Sequence, residues 1–324
     1  MSTLKVAIVG ATGHTGASVV DGLLASETHF PKEITALSRE SSINNAANQS
    51  LRERGVHVVP VDLTGPQQSL VDILTGIDIV ISCIVAFSLQ QQIPLAEAAK
   101  KAGVKRFVPC NFGTPAPRGI MWLDDQKYEV LDAIQRIYLP YTVIDVGWWS
   151  EQITPALPSG KTNHALLQNE GSRVIPGDGN VPVAFTSLPD IGIYVAKIIA
   201  DPRTLNKKVL ACTDVLTMNQ AYDIMDELSG EKTVRQYRTA EALEGILDEV
   251  QESLSRNPED RNAFIAKVVN EYYYSWGVRG DNQPKSAEYL GYLNFKELYP
   301  EVSGRTLKTV FTDILQGKSP GIHY

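Results

Sequence analysis

Three groups of residues in this 324-residue chain could do chemistry, and all lie in its first half. The first is Gly10-Ala-Thr-Gly13-His-Thr-Gly16, which follows the short apolar run Val6-Ala-Ile-Val9 and opens an amphipathic stretch reaching about Ala25. Glycines three apart let the backbone turn tightly and approach a pyrophosphate, whose charge then rests on a helix N-terminus. The spacing predicts a dinucleotide cradle made of Gly10, Thr12, Gly13, His14, Thr15 and Gly16. The second group is Leu37-Ser38-Arg39, at the end of the next predicted strand. An acidic residue there would bind the ribose hydroxyls and repel a 2′-phosphate. Arg39 can instead pair with that phosphate in a charge-assisted contact, so NADPH is the expected cofactor.

The third group surrounds Lys127. Asp124-Asp125-Gln-Lys127 reads as a helix start with one aspartate as N-cap, which puts the lysine in a first turn where the helix dipole disfavours a cation. It also aligns with Val130, Leu131 and Ile134 on the apolar face. Desolvation and the dipole are expected to lower its pKa, which suits proton transfer near neutral pH and makes its removal slightly stabilising. The alternative is a lysine that snorkels out to Asp124 or Glu129. The aromatic run Tyr272-Tyr-Tyr274 with Trp276 could line a flat substrate cleft, but packing or a subunit contact is the preferred reading, which leaves room for a homodimer.

Positioning these groups requires alternating strands and helices. Strand candidates are 34–38, 57–61, 78–84, 106–110 and 142–146, separated by helical patterns at 43–54, 67–74, 89–102 and 125–137. Strict alternation implies right-handed crossovers and an α/β fold, a Rossmann-type doubly wound parallel sheet. Past Trp149 the rhythm changes. Helical patterns at 190–200 and 218–228 dominate, with strand candidates at 209–212 and 234–237. Residues 1–154 are therefore read as the dinucleotide-binding domain. Residues 155–324 are read as a smaller, mainly helical substrate-binding region partly interleaved with it.

Composition narrows the class. A net charge of −7 argues against nucleic acid as the partner. The apolar run before Gly10 is too short for a membrane span and lacks signal-peptide flanks, so the cytosol is the expected address. Cys83, Cys110 and Cys212 are odd in number and widely spaced, which suits neither a disulfide framework nor a metal site.

The chain resembles the NmrA-like branch of atypical short-chain dehydrogenases, with the isoflavone reductase and phenylcoumaran benzylic ether reductase group nearest. The resemblance rests on the glycine loop, Val61-Asp62-Leu63, Asp78-Ile-Val-Ile-Ser-Cys83 and Lys105-Arg-Phe-Val-Pro-Cys-Asn-Phe-Gly113. It continues through Lys127 with Val130 and Ile134, Pro140-Tyr-Thr142 and Phe185-Thr-Ser-Leu-Pro-Asp190. It implies that Lys127 is the acid/base toward an aromatic or phenolic substrate, and that Cys83, Asn111, Lys127 and Trp149 join the cradle and Arg39 around NADPH. For Trp149, a core tryptophan after the 142–146 strand is an equal reading. Hydride would pass to an activated alkene, a quinone methide or a related electrophile. Leu131 and Asn48 stand where the plant members have basic residues, and Thr114-Pro-Ala-Pro-Arg-Gly119 differs from the plant loop. The Tyr-x-x-x-Lys signature of short-chain dehydrogenases is missing from the Lys127 helix; Tyr292-Leu-Asn-Phe-Lys296 is read as a coincidence of letters. A dinucleotide-sensing regulator without turnover is the alternative function, and an isomerase a weaker third; Lys127 favours the enzyme.

Overall fold

The structure, a computed structural model, describes residues 4–26, 32–165 and 174–318. Five strands, β1 (Leu4–Val9), β2 (Lys32–Ser38), β3 (His57–Pro60), β4 (Ile79–Ser82) and β5 (Arg106–Val108), form a parallel sheet in the order β3-β2-β1-β4-β5. They are linked by α1 (His14–Ala25), α2 (Ala46–Glu53), α3 (Gln67–Leu74) and α4 (Gln92–Lys101), and α5 (Trp122–Arg136) leads on to β6 (Thr142–Asp145). A parallel bridge between Phe107 and Tyr141 joins β5 to the start of β6. Beyond it β10 (Lys207–Leu210) and β13 (Tyr292–Asn294) pair in parallel, so the later chain returns to the same layer.

Side-chain alternation explains the two faces. Val6 and Ile8 of β1 point into a core shared with α1 and α6 (Leu188–Ala200), whereas Ala7 and Val9 point into a second core shared with α3, α4 and α5. A strand covered on both faces needs the unbroken apolar run that β1 and β4 have. The packing of α1 on α6 is especially close. A Cβ on Gly22 would overlap the Gly192 backbone, and Ser18 Oγ donates to Leu188 O at 2.6 Å while accepting from Gly192 N at 2.9 Å.

The remaining chain adds a smaller layer. Strand β9 (Pro182–Thr186) lies between β7 (Trp148–Trp149) and β11 (Asp214–Thr217), and β8 (Val174–Pro176) pairs with β12 (Gln236–Arg238). Helices α7 (Met218–Ser229), α8 (Ala240–Arg256), α9 (Arg261–Tyr274) and α12 (Leu307–Leu315) surround a third core, while the short α10 (Pro284–Tyr289) and α11 (Phe295–Leu298) flank β13. Most of these strands, two to five residues long, escaped the sequence reading because alternation over so few positions is indistinguishable from loop. One expectation is corrected. The cap of α5 is Met121, not an aspartate; Asp124 and Asp125 sit in its first turn, and Lys127, expected in that turn, falls in the second.

Candidate active site

The glycine loop connects β1 to α1 and its three glycines differ in what they are needed for. Gly10 has φ +76°, and a side chain there would overlap the Cys83 carbonyl oxygen of the neighbouring strand end. Gly16 is pressed onto Gly10 O, which lets the helix start directly behind the strand. Gly13 is another matter. Its φ is −79°, it is exposed, and a Cβ there would meet only Gly10 O at 3.5 Å, an ordinary contact. Among the described residues nothing requires a glycine at Gly13, and the space above it is open.

That space is one end of a cleft of about 830 Å³ over the C-terminal ends of β1, β2 and β4. Gly10, Thr12 and Gly13 line it, with Cys83, Ser38 and Arg39 farther along. Arg39 is exposed in a short 3₁₀ turn after β2, and no acidic residue ends that strand, although Glu40 follows. Asn48 braces this turn by donating from Nδ2 to Ser38 Oγ at 2.8 Å and to Ser42 O at 2.7 Å. Its Oδ1 is buried at the cleft wall without a protein partner, an acceptor suited to a ribose hydroxyl or a base amine. The cradle, the free face of Gly13 and this orphaned acceptor fit a dinucleotide.

His14 and Thr15 lie in the first turn of α1, partly buried. The His14 ring meets the edge of Trp149, with centroids 6.5 Å apart, which ties the cradle to the segment after β6. Burial pulls the His14 imidazole below its ordinary pKa. Trp149 donates its indole N–H to Phe112 O at 3.0 Å. Phe112 has φ +39°, a left-handed conformation that a side chain resists, held by this bond and by Phe112 N donating to Ile144 O at 2.9 Å. The strained turn swings the chain so that Gly113 faces Lys127; a Cβ on Gly113 would lie 3.2 Å from Lys127 Nζ and 3.5 Å from the Tyr272 hydroxyl oxygen.

Lys127 does lie on the apolar face of α5 with Val130, Leu131 and Ile134, and it is buried. Its ammonium is 2.9 Å from Asp124 Oδ1, and the two side chains are only 7% and 6% exposed. The expected lowering of its pKa is overturned. Burial does pull the ammonium down, but Asp124, with Tyr272 and Asp145 behind it, outweighs burial and holds the lysine well above its ordinary value. Burial in turn pushes the Asp124 carboxyl up to about 6, against the pull of Lys127. At neutral pH the pair is therefore an ammonium and a carboxylate.

The other groups fall around this pair. Asn111 Nδ2 donates to Asp145 Oδ2 at 3.4 Å, and Tyr292 donates to the same oxygen at 2.6 Å. Lys296 binds the Thr213 carbonyl, so Tyr292 and Lys296 do not act as a unit. The thiol of Cys83 is held well above its ordinary pKa by burial and that of Cys110 is raised to about 11, which leaves both protonated at neutral pH. The aromatic run divides. Tyr273 and Trp276 are buried in the third core, Tyr274 donates to Glu244, and Tyr272 alone turns toward Lys127. Tyr272 and Asn48 border the lysine and the cleft, places the sequence analysis did not give them. The signal for Tyr272 was present as an aromatic run, but its helix lies 145 residues beyond Lys127, and only the fold brings them together. Among the described residues no helix is long and apolar enough to cross a membrane, and no cluster of His, Cys, Asp or Glu could hold a metal ion.

Residues 2–303 match the pattern of the NmrA-like family. The chain belongs to that family. It is 46% identical over 316 residues to an asnovolin J 5′,6′-dehydrogenase of Aspergillus novofumigatus, covering 97% of this chain and 96% of that one. It is 29% identical to a phenylcoumaran benzylic ether reductase of Nicotiana tabacum, covering 94% and 96%. Among solved structures it is similar to the binary complex of Vitis vinifera leucoanthocyanidin reductase with NADPH, with a TM-score of 0.77, 26% identity and coverage of 96% and 99%. The NmrA-like chain is an oxidoreductase, built on the Rossmann-type sheet of these reductases.

Proposed function

We propose that this protein is an NADPH-dependent reductase of small aromatic or phenolic metabolites, with Lys127 as the acid that serves the substrate's oxygen. Bound NADPH supplies the hydride. The cradle from Gly10 to Gly16 and the N-terminus of α1 hold the pyrophosphate, and Arg39 pairs with the 2′-phosphate. On this reading His14, Cys83, Asn111 and Trp149 complete the cofactor's surroundings between the cradle and the lysine.

The observation that carries the reading is the ion pair of Lys127 with Asp124, buried on the inner face of α5 and next to Gly113. A protein that only sensed dinucleotide would have no use for a buried, protonated ammonium at this point. Fixed positive charge in a water-poor site stabilises the negative charge that develops on a conjugated oxygen when hydride reaches the carbon system. The related dehydrogenase, named for a 5′,6′ bond, supports a carbon–carbon unit as the reacting group, and the tobacco reductase supports an aromatic substrate.

The test is loss of NADPH absorbance with a panel of phenolic enones and benzylic ethers, for the native protein and for Lys127→Ala. The variant should turn over any accepted substrate roughly 10²–10⁴-fold more slowly. Equal turnover would remove Lys127 from the chemistry. Tight NADPH binding without any turnover, together with altered association with a protein partner, would put a regulator in its place.

A further inference from the structure

Resting on the reductase reading above, we propose that Tyr272 is a second catalytic residue: its phenol hands the proton to the substrate oxygen, and Lys127 replaces that proton. The two groups reach one point from separate helices. Lys127 Nζ and Tyr272 Oη lie 3.2 Å and 3.5 Å from the position a Cβ on Gly113 would take, so both groups crowd the bare face of that glycine. A substrate oxygen that reaches the pair meets both donors.

Tyr272 is held for this task. It sits near the end of α9, with its ring 5.5 Å from that of Trp148 in an edge contact, so the phenol has a fixed direction. Thr114, directly after Gly113, pairs through its hydroxyl with the Tyr272 phenol, and the indole N–H of Trp148 is buried without a hydrogen-bond partner. That unsatisfied donor beside Tyr272 marks a place that a polar ligand completes. Burial raises the phenol above its ordinary pKa while the Lys127 charge pulls it back. Tyr272 is thus protonated at neutral pH and next to a cation that favours its anion. A tyrosine and lysine so arranged supply the couple whose spacing signature α5 lacks.

The conjugated carbon of an enone or quinone methide gains a hydride from the reduced nicotinamide. The π electron pair shifts onto the substrate oxygen, which takes the Tyr272 proton as the phenol O–H bond breaks. The resulting phenolate takes a proton from the Lys127 ammonium, and the amine is reprotonated from solvent. Beside Lys127 a cavity of about 10 Å³, roughly the size of one water, is walled by Asp124, Asp145, Lys208 and Tyr292.

Tyr272→Phe keeps the ring and its contact with Trp148 and removes only the hydroxyl. It should lower kcat by roughly 10–10³-fold on any substrate the native protein accepts, with the NADPH dissociation constant unchanged within about 2-fold. A second readout needs neither substrate nor cofactor. In the cofactor-free protein, the tyrosinate absorbance that Tyr272→Phe removes should titrate at a higher pH when Lys127 is replaced by Met. Native kcat in Tyr272→Phe, or a Tyr272 titration that ignores Lys127→Met, overturns the proposal. If Lys127→Ala alone loses turnover, the reductase reading stands and the tyrosine is excluded. If no substrate reacts, the reductase reading fails while the titration still decides whether the two groups are coupled.

Discussion

Removing the Lys127 ammonium should destabilise the protein strongly, in a way that depends on pH. In the folded chain Lys127 and Asp124 are 2.9 Å apart and nearly sealed from water. At an effective dielectric of about 20, their attraction is on the order of 6 kcal/mol, most of it offset by the desolvation of both charges. Lys127→Met loses the attraction and leaves Asp124 buried alone, a change that typically costs about 3–5 kcal/mol. The lone carboxylate escapes by taking a proton. Its folded pKa, already about 6 beside the lysine, must rise further once the lysine is gone. An acid whose pKa is raised on folding binds a proton as the chain folds, so stability falls with rising pH across that window. Above the variant's Asp124 pKa, the full deficit relative to the native protein is present. Below it, the deficit shrinks by about 1.4 kcal/mol per pH unit until about pH 6, where the native Asp124 also starts to protonate. Urea unfolding of both proteins at several pH values between about 6 and about 9 measures this directly. Lys127→Met/Asp124→Leu, which removes both charges, should recover most of the loss. A single variant as stable as the native protein near pH 8, with no pH dependence of the difference, would refute the buried-pair argument and restore the sequence-based expectation that losing this lysine is harmless.

Two substitutions probe the cofactor cleft. Gly13→Val should leave the fold intact, because a Cβ there meets only Gly10 O at 3.5 Å, yet weaken NADPH binding by more than ~100-fold, as read by fluorescence titration. Unchanged affinity in the folded variant would show that the loop holds no pyrophosphate. Arg39→Asp should cost at least ~10-fold in NADPH affinity and narrow the preference over NADH. Equal binding of both cofactors before and after the change would take Arg39 out of the selectivity.

The doubly wound sheet was legible because its evidence is local and repeated. Each strand from β1 to β6 is a short apolar run, each helix between them carries the 3.6-residue pattern, and the glycine loop sits where a strand meets a helix. Lys127 was legible as an inward-facing residue, since its alignment with Val130 and Ile134 needs only helix geometry. Its protonation state was not. That depends on Asp124, which the sequence offered as a cap when the helix in fact begins at Trp122 and turns the carboxylate inward. Tyr272 could not be assigned from any local pattern, because its distance from Lys127 is set by how α9 docks on α5. Asn48 looked like the loss of a basic residue, yet its amide shapes the turn that carries Arg39.

The contact between α1 and α6 has a mechanical consequence. With Gly22 and Gly192 back to back and Ser18 bonded across the interface, the two helices behave as one stiff beam. One end of the beam is the cradle. At the same end α6 begins at Leu188, whose backbone N–H, with the Ser187 hydroxyl, is clasped by Glu151, two residues past Trp149. Cradle and indole therefore ride on a common support and cannot hinge against each other. Whatever opens to admit a substrate and shuts over it must come from parts that do not bear on the beam. The turn holding Val85 and Phe87 is such a part, with those side chains 68% and 70% exposed, Val85 lining the cleft and the Phe87 ring near those of Phe264 and Trp122. The spacing of cradle and indole is thus built into the fold, and the rim is where the cleft can give way.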